Sequence, residues 1–155
     1  ENAARAKTNR IGMLTLGGWA LGNFGWATVG LLRTEDDRER SFHLANAGLN
    51  LVNAGIAVTG FFSNSDQDWS QFDAVSTLNE DHGAEKLYLV AAGLDLALVA
   101  TGAYLTAKGN LDKKEGVVGT GRSFMLQGAF RFSFDAVMYA IHALRRGSFT
   151  SQLGE

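Results

Sequence analysis

Four apolar stretches alternate with charged connections along this chain. Residues 11–32 and 41–65 contain no Asp, Glu, Lys or Arg, residues 87–107 contain only Asp95, and residues 123–144 contain only Arg131 and Asp135. At a rise of about 1.5 Å per residue, each stretch is long enough to cross a hydrocarbon layer of about 30 Å. The pattern predicts an all-α, four-helix transmembrane bundle in one domain. Its helices are expected over about residues 11–33, 41–63, 86–107 and 121–145, with an acidic extramembrane loop over 64–85.

Polar residues inside these stretches are spaced, not scattered. Asn46, Asn50 and Asn53 fall four and three apart, which places all three amides on one side of a helix and turns that side towards protein. Gly18 and Gly22 form a small-xxx-small pair on which another helix backbone can approach closely. Trp19 and Trp26 lie about two turns apart near the middle of their stretch, a position that suits packing better than an interfacial aromatic belt.

The connections are uneven. RTEDDRER is short and predicts an antiparallel hairpin, with Thr34 and Asp37 resembling a helix cap. Residues 66–86 carry Asp66, Asp68, Asp73, Glu80, Asp81 and Glu85 against the single base Lys86. There, Phe72, Val75 and Leu78 suggest a short surface helix beside Trp69. Residues 1–10 read as a solvated polar leader or, alternatively, as a helix or arm at the membrane surface, Gly109 as a helix stop, residues 109–122 as a glycine-rich connection and the last eight residues as a loosely held tail.

Composition removes several function classes. A net charge of −2 without a basic, aromatic-studded face argues against nucleic acid. The chain has no cysteine, so thiolate chemistry and Cys-based zinc sites are excluded. Nineteen glycines and no proline suit long, closely packed helices. No phosphate-binding loop or nucleophile–base arrangement stands out, so no catalytic residue, metal or cofactor is assigned.

The candidate chemistry is the set of ionisable residues within the spans, which are costly there and therefore candidates for function. Arg131 and Asp135 are four apart and can pair along their own helix. Asp95 has no such partner and could accept hydrogen bonds from Asn23, Asn50 or Asn53, or pair with Arg131. These residues read either as a polar network that sets which helix faces which, or as a proton or ion path. His43 opens helix 2 and His142 closes helix 4, so the two imidazoles are expected at opposite ends, against a shared haem. Asp81, His82 and Glu85 could hold a surface cation.

Offsets of 73 and 82 superpose helix 1 on helix 3 and helix 2 on helix 4, matching Ser41 with Ser123, Phe42 with Phe124 and Asn53 with Asp135. Two tandem hairpins related as a parallel repeat account for this, and chance matching of Leu and Ala is the rival account.

Four blocks carry a resemblance: GGWALGN at 17–23, FHLANAGLNLVNAGIA at 42–57, AAGLDLALVATGAYL at 91–105 and GRSFMLQGAF at 121–130. Together they resemble an uncharacterised family of small bacterial proteins with four predicted membrane helices and no assigned activity. The resemblance covers Arg10 to about Ala143. It implies a processed N-terminus on the non-cytoplasmic side and carries over no functional residue; the acidic loop is longer than that family leads one to expect. The charge balance between the two sets of connections, seven Lys and Arg against six, adds little on orientation.

The leading expectation is a non-enzymatic membrane protein that works by helix packing, in contact with membrane lipid, as a homo-oligomer or with other membrane subunits. The alternatives are ion or proton conduction through Asp95, Arg131 and Asp135, and a soluble bundle that binds an apolar ligand.

Overall fold

The computed structural model describes residues 2–63 and 73–153, and these form four long helices. They are α1 (Asn2–Arg33), α2 (Asp37–Ser63), α3 (Ala74–Leu111) and α4 (Glu115–Leu153). No strand occurs among the described residues. Successive helices run antiparallel, which leaves α1 parallel to α3 and α2 parallel to α4. α4 packs along both α3 and α2, α2 also packs along α1, and α1 meets α4 more sparingly.

The two hairpins close in nearly the same register. In the first, Gly30 lies against His43; shifted by the two sequence offsets, that pair becomes Ala103 and Met125, and Met125 in fact packs on Gly102. One residue separates the two.

Every helix is longer than its apolar stretch. α1 begins at Asn2, so residues 1–10 are not a solvated leader: Arg5 is buried and bonded to α3. Of the acidic segment expected over 64–85, residues 64–72 lie outside the described residues, and from Ala74 onward it is helix, capped by the Asp73 carboxylate, which accepts from the Ser76 amide at 2.7 Å. Val75 and Leu78 belong to the first turns of α3, while Trp69 and Phe72 lie outside the described residues. Gly109 does not stop α3, and the glycine-rich connection shrinks to Asp112–Lys114, with Lys113 in the left-handed region at φ 54. The tail continues α4 to Leu153. At the first hairpin the cap of α2 is Asp36, which accepts from the Glu39 amide at 2.9 Å, while Thr34 holds the Asp36 amide.

Buried positions advance by alternating steps of three and four. On α1 they include Met13, Leu16, Ala20, Asn23 and Ala27; on α2, His43, Asn46, Asn50, Asn53 and Ala57; on α3, Tyr88, Ala92 and Asp95, with Gly102 and Gly109 in the same phase. That 3.5-residue period is the seam of helices wound about each other. Beside Met13, Leu16, His43 and Tyr88 its occupants are mostly amides, acids and small residues, while Leu14, Leu21, Leu32, Leu51, Val58, Leu87, Leu94 and Leu144 are each more than half exposed. The bundle is polar inside and apolar outside. Among the described residues two helices, α2 and α3, are long and apolar enough to cross a membrane.

Glycines set the helix spacing at a few points. A Cβ on Gly102 would sit 2.6 Å from the Gly121 carbonyl oxygen, and one on Gly121 2.6 Å from that of Gly102. Gly119 lies directly beneath the Arg38 carbonyl of α2. Gly18 and Gly22 have no atom within 4 Å of such a Cβ, so the small-xxx-small pair of α1 does not join two helices of this chain.

Candidate functional site: a polar column along the bundle

The seam positions of the four helices stack into a column of buried polar side chains. From Arg5 to the level of Gly30 on α1 it covers about 37 Å.

Its middle is an amide cluster. Gln127 of α4 is fully buried and donates to Asn46 Oδ1 at 2.5 Å, while its own Oε1 accepts from Trp19 Nε1 at 2.9 Å and from Asn53 Nδ2 at 3.3 Å. Asn46 donates to Asn23 Oδ1 at 3.3 Å, and Asn50 donates to the Asn46 carbonyl at 2.7 Å. Side chains from α1, α2 and α4 are thereby linked in one network. The Trp19 ring also stacks on Phe130, with centroids 3.8 Å apart, whereas Trp26 is half exposed and meets Phe42 and His43 edge-on.

Next along the column come the charges expected from the sequence. Arg131 lies with Nε 3.2 Å from Asp95 Oδ1 and Nη2 3.8 Å from Asp135 Oδ2, and its Nη1 donates to Asn53 at 3.3 Å. Asp95 is thus partnered by Arg131, and the amides of Asn23, Asn50 and Asn53 bond elsewhere. Of the sequence candidates, Asn23, Asn46, Asn50, Asn53, Asp95, Arg131 and Asp135 form one contiguous set. Gly18 and Gly22 stand outside it, facing away from the bundle.

The lower end holds a second charged layer that sequence reasoning missed. Arg5 Nη1 is 3.1 Å from Asp81 Oδ1 and 3.2 Å from the Thr77 carbonyl oxygen, and Arg146 Nε donates to Glu85 Oε1 at 2.6 Å. The Glu85 carboxylate holds the Arg146 guanidinium above its ordinary range. His142 Nε2 is 2.9 Å from Asn9 Oδ1, and its ring stacks on Tyr88. The surface cation site is therefore corrected: Asp81 and Glu85 point inward to arginines, and only His82 faces solvent. The available signal was the i, i+4 spacing of Asp81 and Glu85, which puts both on one face of a helix. Gln127 had a signal too, as a lone amide in a charge-free run one turn before Arg131.

His43 and His142 take opposite ends, His43 against Gly30 and His142 against Asn9 of α1. At the rise of a helix these levels are about 30 Å apart.

A family model matches residues 15–136. The chain belongs to the DUF6992 family, a family of unknown function. No curated protein and no solved structure matches it. The part of this DUF6992 protein that matches takes in the whole amide cluster and the Asp95–Arg131–Asp135 group. It includes Asp81 and Glu85 of the lower layer but leaves out their partners Arg5 and Arg146.

Outside the column the surface grooves are apolar. One groove, about 490 Å³, runs between α1 and α4 and is lined by Ile11, Phe130, Phe134, Val137, Met138 and Ile141 among others. A second groove between α1 and α2 includes Gly17, Gly18, Leu21, Val58 and Phe62.

Proposed function

We propose that this protein is an integral, non-enzymatic membrane protein whose four helices cross the bilayer, and that it acts by packing against other membrane helices. The observation that supports this most strongly is the inverted distribution of polarity. In water, exposing so many Leu and Val side chains while burying Asn, Gln and Asp is unfavourable on both counts. In a bilayer the same arrangement is favourable on both, because lipid covers the apolar surface and the polar groups bond across helices at about 0.6–2 kcal/mol each. The uncharged outer band of α1, residues 11–32, measures about 33 Å, close to a hydrocarbon core of about 30 Å.

Packing partners are argued from the outer face of α1. Gly18, Gly22 and Gly25 leave open space there. A helix of a second copy, or of another membrane subunit, can approach closely along that face, and lipid chains fill the apolar grooves.

Detergent extraction from the native membrane, followed by native mass, tests this reading. The expected result is a particle larger than one protomer that falls apart in the Gly18→Leu/Gly22→Leu double variant. A chain that stays in solution without detergent overturns the membrane reading; a lone protomer overturns the packing role. The close approach of Asp95, Arg131 and Asp135 favours one second reading, ion or proton conduction. It predicts a flux in liposomes that Asp95→Asn abolishes, and no flux in the wild type refutes it.

A further inference from the structure

The lower layer of the column is electrically matched, Arg5 with Asp81 and Arg146 with Glu85. The central layer is not. Asp95 and Asp135 both lie on the Nε/Nη2 edge of Arg131, the edge that a single carboxylate fills in a two-pronged pair. Two negative charges thus meet one positive charge.

Both acids are enclosed, with side chains 5% exposed. The groups around them supply no second cation. Tyr88 of α3 is neutral, Asn53 of α2 is an amide that already accepts from Arg131, and α1 buries Gly12, Met13 and Leu16 on this side of the bundle. Asp95 Oδ2 and Asp135 Oδ2 have no hydrogen-bond partner among the described residues. An uncompensated buried charge is among the most unfavourable arrangements in a protein, and so is an acceptor left without a donor.

One proton removes both defects. Placed on either Oδ2, it cancels the surplus negative charge and turns one unpartnered acceptor into a donor within reach of the other carboxyl group.

We infer that Asp95 and Asp135 form a one-proton binding site, in which the two carboxyl groups share a single proton taken from water and Arg131 serves as the fixed counter-ion. The net charge of the group changes from −1 to zero on binding. A metal ion suits the site less well, because hard cations take six or more oxygen ligands and, among the described residues, the two acids offer only one unbonded oxygen each. This goes beyond the packing role and does not depend on it, since the argument needs only the buried geometry.

Infrared spectroscopy of the detergent-purified full chain tests the inference, because a protonated carboxyl absorbs apart from a carboxylate. At pH 6 solvated Asp and Glu, with pKa values of about 4, are almost wholly ionised. The wild type is expected to show a protonated-carboxyl band equivalent to about one group, which titrates away as the pH rises. In Asp95→Asn and in Asp135→Asn the remaining acid pairs one-to-one with Arg131, so the band should vanish. Arg131→Gln removes the counter-ion from both acids and should raise the band to about two groups. Absence of the band in the folded wild type overturns the inference, as does its survival in both asparagine variants or its loss on adding sodium or potassium at constant pH. If one asparagine variant fails to fold, the wild-type spectrum and the other variant still decide.

Discussion

The crossing of α3 and α4 at Gly102 and Gly121 gives a prediction with a definite sign. An alanine at Gly121 would place its Cβ 2.5 Å from Thr106 Oγ1, 2.6 Å from the Gly102 carbonyl oxygen and 2.7 Å from the Thr106 amide nitrogen. An alanine at Gly102 would meet the Gly121 carbonyl at 2.6 Å and the Met125 amide nitrogen at 2.7 Å. These neighbours are mostly backbone and cannot swing aside. Restoring ordinary contact at 3.4 Å requires the helices to part by about 0.8 Å at the crossing. Overpacking of this kind costs about 1–3 kcal/mol, and the better helix propensity of alanine returns about 1 kcal/mol. A net loss of up to about 2 kcal/mol is therefore expected for either single variant.

The double variant should lose less than the sum, because one alanine already forces the separation that the other needs. Gly48→Ala and Gly93→Ala are the internal control, with nothing within 4 Å to displace and only propensity to gain. Unfolding in mild detergent titrated with a denaturing one, followed by circular dichroism, measures all five variants against the wild type. Gly102→Ala or Gly121→Ala variants as stable as the wild type would refute the close crossing.

Three further outcomes are expected. Gln127→Leu strands the Trp19 Nε1 donor and takes one of their partners from Asn46 and Asn53, at about 1–3 kcal/mol for a buried group left unsatisfied, so unfolding should come at lower denaturant; an unchanged midpoint would mean that the side chains re-pair without it. Lys113→Gly relieves a left-handed residue at φ 54 and should stabilise the α3–α4 turn by up to about 1 kcal/mol, read from the same titration. Backbone and side-chain hydrogen bonds from Ser76 hold the Asp73 carboxyl below its ordinary range. The cap it makes is therefore fully present above the unfolded Asp value and is lost as pH falls through the lower folded value. Amide exchange at Ser76, corrected for its intrinsic pH dependence, should speed up only at acid pH, and the Asp73→Ala variant should lack that change.

The four helices and the polar side of α2 were legible from the chain because both depend on local spacing. A run without charge long enough to cross a bilayer announces a helix, and amides at steps of four and three must share a face. The grouping of Asp95, Arg131 and Asp135 was also within reach, since ionisable residues in such runs have few places to go. The ends of the helices were not. Arg5, Asp81, Glu85 and Arg146 look like solvated residues in any local window, and only the meeting of α1, α3 and α4 turns them into buried pairs.

Glycine was ambiguous for the same reason. Gly18 and Gly22 have the spacing of a helix contact and face outward, whereas Gly102, Gly119 and Gly121 stand in less regular surroundings and bring backbones together. Sequence by itself determined which residues can share a helix face. Which face meets which neighbour was decided by the tertiary structure, because close approach and charge pairing are properties of two surfaces at once.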